Sequence, residues 1–288
     1  VLFKMRKLKN GDHIRVISPS SSIAKIGGLE ANQAAIDRLK KLGFELSFSE
    51  HYFEDDMVHS ASIKSRVDDI HQAYLDDSVD AIMATIGGFN SNELLPYLDY
   101  DLISKHPKIL CGYSDTTALL TAIYTKTGQY TYMGPSFSSF KMNDLQEYQS
   151  TAWLEAMTKS HYKVSPSLIY GSNPWYLPDA ELSFEKTEWK IYQEGRAEGT
   201  LIGGNLSTFG LLRGTPYAPK TNDYILMVEE AEDDDWIEFE RNLASILQAY
   251  PKPKALLIGR FPKECQMSEE LLHLSLIHIS EPTRRTPI

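Results

Sequence analysis

One stretch constrains this chain more than any other: Lys108-Ile109-Leu110-Cys111-Gly112-Tyr113-Ser114-Asp115-Thr116-Thr117-Ala118-Leu119-Leu120. It opens as a short apolar run, the pattern of a parallel strand buried on both faces. Gly112 turns it. Asp115, Thr116 or Thr117 can then cap a helix whose body is Ala118-Leu119-Leu120-Thr121-Ala122-Ile123. A serine between a strand and a helix sits on a sharp turn with its hydroxyl exposed. The helix N-terminus behind it offers free N–H groups and a partial positive charge. That is the geometry of a nucleophile elbow, usually G-x-S-x-G, although Thr116 stands here in place of the second glycine. On these residues alone the plainer reading, Ser114 as a turn residue or helix cap, stays open.

A second loop strengthens the first. The apolar run Ala81-Ile82-Met83-Ala84 is followed by Ile86-Gly87-Gly88-Phe89-Asn90-Ser91-Asn92 and then by residues 93–98, which read as a helix. Two glycines between a strand and a helix free backbone N–H groups to point at an anion. The two loops together can supply a nucleophile and an oxyanion hole. Upstream, residues 13–17 form a strand that ends in the hydroxyl-rich Ser18-Pro19-Ser20-Ser21-Ser22. Residues 29–42 read as one helix with Ala35, Leu39 and Leu42 on one face and Gly43 as its stop. Residues 44–48 alternate like a strand, and Ile63, Val67, Ile70 and Tyr74 follow helical spacing. A further strand lies near residues 130–133. Strands alternating with helices predict βαβ units on a parallel sheet, which bind ligands beyond the carboxyl ends of the strands. The loops of Ser18, Gly88 and Ser114 all lie at such ends, so they can converge.

A helix is expected over residues 143–159. Residues 161–178 hold three prolines and a Gly171-Ser172-Asn173-Pro174 turn, and read as an interdomain linker. The expected division is an N-terminal α/β domain over 5–160, a linker over 161–185 and a smaller α/β domain over 186–272. Trp175, Tyr176 and Trp189 flank the linker, either as packing or as an aromatic wall for a substrate ring. In the second domain Gly199-Thr200-Leu201-Ile202-Gly203-Gly204-Asn205-Leu206 is a strand meeting a glycine loop and a helix, without the Lys-Ser/Thr of a P-loop. Tyr224-Ile225-Leu226-Met227-Val228 is a buried strand ending at Glu229-Glu230. The acidic run over 232–235 lacks the spacing of a calcium loop and reads as a helix N-terminus. Trp236, Phe239, Leu243, Ile246 and Tyr250 mark the amphipathic helix after it, and residues 254–260 the next strand.

The formal net charge of -10 argues against a nucleic-acid backbone as partner. Two cysteines, Cys111 and Cys265, make no disulfide framework and fit a reducing compartment. No run is long and apolar enough to span a membrane, and the N-terminus shows no signal-peptide h-region. A cytoplasmic location is therefore expected, with neither membrane nor nucleic acid as partner.

Ser18-Pro19-Ser20, Ile86-Gly87-Gly88-Phe89-Asn90-Ser91-Asn92, Gly112-Tyr113-Ser114-Asp115, Gly203-Gly204-Asn205-Leu206 and Val228-Glu229-Glu230 occur in an order and spacing that resembles the LD-carboxypeptidases, serine peptidase family S66, which include the microcin C immunity proteins. Gly259-Arg260-Phe261 and the segment around Trp175 and Trp189 look closer to the microcin-immunity branch. The resemblance implies a flavodoxin- or Rossmann-like parallel domain, a smaller α/β domain and an active site at their interface. It implies Ser114 as nucleophile, Glu229 as the carboxylate that orients a histidine base, and the N–H groups of Gly88 and Asp115 as the oxyanion hole. Glu230 competes with Glu229 for its role. Asn205, Trp175 and Trp189 become substrate-binding positions. The implied substrate is a murein LD-tetrapeptide or a peptidyl-nucleotide; no metal or organic cofactor is implied, and a homodimer is.

The family's histidine lies in a Gly-His segment near its C-terminus, and none of the eight histidines here stands in that context. His278 lacks the preceding glycine. Residues 274–284 look like an in-frame translation of a sequencing adapter and residues 273–288 are expected to be foreign, while the four residues before Met5 are expected to be read through from upstream of a start there. The chain is accordingly expected to lack its base. Two further readings stand beside the peptidase: a two-domain protein that closes on a small ligand without chemistry, and a pseudoenzyme.

Overall fold

A computed structural model describes residues 5–172 and 181–280. The chain divides into two units, Val1–Glu194 with Pro216–Lys220, and Gly195–Thr215 with Thr221–Ile288. Each is an α/β unit built on its own parallel sheet.

In the first unit the strands are β1 (His13–Ile17), β2 (Glu45–Phe48), β3 (Ala81–Ala84), β4 (Ile109–Gly112) and β5 (Tyr132–Met133). All pairings are parallel, in the order β2-β1-β3-β4-β5. Every residue of β3 and β4 is buried, because helices cover both faces of a parallel sheet and leave no polar side to alternate with. The helices are α1 (Gly28–Ala31), α2 (Gln33–Lys41), α3 (Ile63–Leu75), α4 (Tyr100–Lys105), α5 (Thr117–Thr127) and α6 (Gln146–Thr158). The core on one side joins Ile14, Val16, Leu39, Met83 and Cys111 to the ring cluster of Phe44, Phe140 and Trp153. Both phenylalanines meet the tryptophan edge-on, with centroids 5.5 and 5.1 Å away. The strand order reverses between β1 and β3, and crevices for ligands open at that reversal.

Three elements differ from expectation. The helix foreseen over 29–42 is broken between α1 and α2 at Asn32. Its side-chain amide donates to the carbonyls of Ile26 (3.1 Å) and Gly28 (2.7 Å), which draws the preceding turn back on itself. The segment after Gly88 is a 3₁₀ helix, Ser91–Tyr97, because Pro96 lacks the N–H that an α-helix needs there. The proline-rich stretch carries a short antiparallel pair, β6 (Ile169–Tyr170) with β7 (Glu185–Lys186).

The second unit holds β8 (Thr200–Asn205), α7 (Leu206–Gly210), β9 (Tyr224–Glu229), α8 (Trp236–Ala249), β10 (Leu256–Ile258) and α9 (Glu269–Ser280). Its sheet is parallel in the order β10-β9-β8. Leu226 and Val228 of β9 are fully buried, as are Leu206, Phe239 and Leu243. The acidic run does start a helix. Asp235 caps α8 through the N–H groups of Ile237 and Glu238, and Glu238 reaches back to close a capping box. Among the described residues no helix is long and apolar enough to cross a membrane.

Candidate active site

Ser114 sits where β4 hands over to α5. Tyr113 is still extended, and Ser114 takes φ 57° before a single 3₁₀ turn, Ser114–Thr116, starts the helix. A left-handed conformation costs a residue with a Cβ roughly 1–3 kcal/mol, so the surroundings must hold it. Gly112 makes room on one side: a Cβ there would lie 2.8 Å from Thr116 Cγ2 and 3.1 Å from Ala84 Cβ. Gly87 makes room on the other, since its Cβ would lie 3.0 Å from both Cβ and Oγ of Ser114. Ser114 is half-buried, and its neighbour Tyr113 is exposed.

The loops after β1, β3 and β4 meet here. Gly88 has φ 152°, and a side chain on it would overlap Ser20 Oγ and lie 2.7 Å from Ser21 Oγ. Ser21 N–H donates to the Gly87 carbonyl at 3.1 Å. Asp115 is buried and binds both other loops. Its Oδ2 accepts from Ser20 Oγ at 2.6 Å and from the Ser91 N–H at 2.8 Å, while its carbonyl accepts from Ser91 Oγ at 2.7 Å. The structure therefore brings together Ser114, Asp115 and Gly88, with the Ser18–Ser20 loop beside them. Thr116 N–H donates to the Tyr113 carbonyl at 3.2 Å and closes the first turn, and the start of that turn is a natural place for a developing oxyanion.

Sequence reasoning missed Arg66. It is 3% exposed on α3. One guanidinium nitrogen donates to the carbonyls of Pro19 and Asn90, both at 3.2 Å, and to Asn90 Oδ1 at 3.1 Å. The other meets Glu93 at 3.0 Å. The signal was present, because Arg66 stands three residues after Ile63 and four before Ile70, on the apolar face of its helix.

The second unit places Glu229 at the carboxyl end of β9, in register with Asn205 at the end of β8. Asn205 caps α7, accepting from the Thr208 N–H at 3.1 Å and from Ser207 Oγ at 2.9 Å. Burial raises the Glu229 carboxyl above its ordinary value, with Glu232 and Asp234 adding to the rise and a hydrogen bond from Asn205 opposing it. Glu229 Oε1 is buried without a hydrogen-bond partner. Gly259 leaves it space, since a Cβ there would lie 2.7 Å from the Cβ of Glu229. Glu230 is more deeply buried, at 3% exposure, and neither of its carboxyl oxygens finds a hydrogen-bond partner. Burial, followed by the proximity of Asp234, pushes it up to about 9.

Trp189 is 64% exposed in a coil segment of the first unit. Trp175 lies outside the described residues. Cys111 is core, as its strand position suggests: it is 2% exposed, and burial pushes its thiol up to about 12. Among the described residues no group of three or more His, Cys, Asp or Glu side chains is placed to hold a metal ion.

Comparison with known proteins gives one answer along the chain. The family model described as the LD-carboxypeptidase N-terminal domain matches residues 14–134, and that of the C-terminal domain matches residues 198–283. YocD of Bacillus subtilis (strain 168), a protein carrying a carboxypeptidase name, is 45% identical over 92% of this chain and 83% of its own. The crystal structure of an MccF-like protein from Bacillus anthracis superposes with TM-score 0.91 at 43% identity, covering 96% of this chain and 86% of that one. The microcin C7 self-immunity protein MccF in complex with aspartyl sulfamoyl adenosine superposes with TM-score 0.82 at 30% identity, over 94% and 86% of the two chains. With two family domains in order and a two-domain α/β fold shared with MccF-like proteins, this chain belongs to the LD-carboxypeptidase family, peptidase S66.

Proposed function

We propose that this protein is a serine hydrolase of peptidyl-nucleotides, cleaving an amide next to a free carboxylate through an acyl-enzyme. The observation that carries the reading is Ser114, held at φ 57° between β4 and α5 with Gly87 against its hydroxyl. Membership of the family and the likeness to MccF, a protein solved with aspartyl sulfamoyl adenosine, support the substrate class. A murein LD-tetrapeptide is the second reading, favoured by the LD-carboxypeptidase description of the family.

Ser114 Oγ attacks the amide carbon and gives its proton to an imidazole, and the carbonyl oxygen becomes an oxyanion. The N–H groups of Gly88 and Asp115 stabilise that charge. The imidazole then passes the proton to the departing amine, and water cleaves the resulting ester by the reverse sequence. Glu229 orients and stabilises the imidazolium. Its raised carboxyl and unpartnered Oε1 suit a group that waits for a cationic donor. Glu230 suits the role less, since a carboxyl held protonated at neutral pH has no charge to offer. Asn205 holds Glu229 from the neighbouring strand end, and Trp189 is assigned to the substrate's ring.

The test has two parts. A fluorophosphonate with added imidazole should label Ser114, and Ser114→Ala should abolish labelling. Cleavage of a peptidyl-nucleotide and of an LD-tetrapeptide, followed by mass spectrometry, decides between the substrates. Turnover without added imidazole measures whether one of the chain's own eight histidines supplies the base. Loss of a triad member costs roughly 10⁴ to 10⁶ in turnover. Full turnover that survives His278→Ala would place the base elsewhere, and no labelling of Ser114 would leave the non-catalytic ligand-binding reading.

A further inference from the structure

We propose that the Asp115 carboxylate and the Arg66 guanidinium form a clamp that sets the oxyanion hole, acting as positioning residues for the Gly87–Gly88 loop. The proposal rests on Ser114 being the nucleophile and extends it to side chains that never meet substrate.

Neither contact pattern is that of an ordinary core polar group. Asp115 follows the nucleophile directly, so its carboxylate fixes the peptide whose N–H serves the oxyanion. Three donors converge on this one residue, and they come from the loops after β1 and β3: Ser20 from the first, and Ser91 twice from the second. Ser20 is in turn packed where a side chain on Gly88 would be. The carboxylate therefore fixes the spacing between Ser114 and Gly88 through two short chains of atoms. Charge-assisted hydrogen bonds of this kind are shorter and about twice as strong as neutral ones.

Arg66 closes the far side of the same loops. Its acceptors are the Pro19 carbonyl, two residues before Ser21, and the carbonyl and side chain of Asn90, two residues after Gly88. Asn90 is tied onward, its amide donating to Ser60 Oγ at 3.0 Å, and Ser60 bridges to Ser21. The position is one that an apolar side chain would fill on the buried face of α3. For stability alone a buried cation is a poor choice there, since its desolvation offsets what its contacts return. A rigid fork of donors aimed at two loop backbones instead selects one arrangement of those loops. Preorganised donors are what an oxyanion hole requires, because a hole that must rearrange during the reaction loses its advantage.

The experiment measures the second-order rate of fluorophosphonate labelling at Ser114, with imidazole added throughout. It is read together with melting temperature and with amide hydrogen exchange over residues 86–92. Ser20→Ala, Ser91→Ala and Arg66→Lys should each slow labelling about tenfold or more at temperatures well below their melting transitions, and should speed exchange in that segment. Ser91→Thr keeps a hydroxyl and should restore most of the rate. Ser20→Ala removes a bond to the Asp115 carboxylate and Ser91→Ala one to the Asp115 carbonyl, so both act through one residue and the double variant should lose less than the product of the single losses. If Arg66→Lys fails to fold, Ser20→Ala, which deletes the single hydroxyl bonded to the carboxylate, still decides. Folded variants that label within about twofold of the native rate, whatever their melting temperatures, overturn the clamp while leaving Ser114 as nucleophile. A native chain that is not labelled at Ser114 overturns the nucleophile and the clamp together, a different pattern from the first.

Discussion

Replacing Gly87 by alanine should damage reactivity more than stability. Gly87 does not have the positive φ that would exclude alanine, so the backbone itself is compatible. The added Cβ lies 3.0 Å from both Cβ and Oγ of Ser114. Carbon atoms pack best at about 3.5–4.0 Å, so one partner must move by roughly half an ångström. Overlap of this size costs about 1–3 kcal/mol in a packed interior. The unfolded chain loses freedom on gaining the methyl group, which returns about 0.4–1 kcal/mol. A net loss near 1 kcal/mol is expected. Reactivity is more sensitive, because about an ångström of misplacement at a reacting atom can cost about a hundredfold. Half of that predicts about a tenfold slower fluorophosphonate labelling. Gly88→Ala is the contrasting variant. It adds strain at φ 152° to contacts of 2.7 Å with Ser21 Oγ and 2.9 Å with Ser21 N, and should lose at least about 2 kcal/mol. Denaturant unfolding and labelling of both variants test the reasoning. Native labelling in Gly87→Ala, or a larger stability loss there than in Gly88→Ala, would refute it.

Glu230→Gln should stabilise the protein at and above neutral pH. The folded carboxyl is raised from 4.5 to about 9, so between those values the folded state keeps a proton that the unfolded state releases, and stability falls as pH rises. At pH 7 the cost is on the order of 2–3 kcal/mol, which glutamine should remove while changing little near pH 4; an alkaline fall that persists in the variant would acquit Glu230. His51 is raised by its hydrogen bond to Asp69, at 2.8 Å. Its contribution is complete below about pH 6.5 and lost as pH rises through the raised folded value, so His51→Gln should flatten the stability profile in that window. Asn205→Ala should cost about 1 kcal/mol through loss of the α7 cap and raise Glu229 further by removing its hydrogen bond, which a carboxyl NMR titration reads directly.

Strand and loop identities were legible because their signals are local. The apolar runs of β3 and β4 can only be buried strands at that length, and Gly87-Gly88 and Gly112-Tyr113-Ser114 mark the turns that follow them. The βα alternation then dictates a parallel sheet with its loops at one edge. The resemblance pointed to Ser114, Asp115 and Gly88, and the loops that carry those three meet in the first unit.

What only the tertiary structure decided depends on atoms far apart in sequence. The break at Asn32 is set by side-chain bonds to Ile26 and Gly28 that compete with the helix, which a periodic pattern of apolar residues cannot reveal. The contrast between Glu229 and Glu230, adjacent in sequence, is one of surroundings: one keeps Asn205 beside it, while burial and the neighbouring Asp234 push the other up to about 9. Above all, Asp115 could be read only as a helix cap or a backbone donor. Its side chain becomes a junction because Ser20 and Ser91, 95 and 24 residues away, are brought to it by the order β1-β3-β4 of the sheet. Local pattern determines which segments become strands and turns. Which side chains those turns set against one another follows from strand order, and strand order is a property of the folded chain.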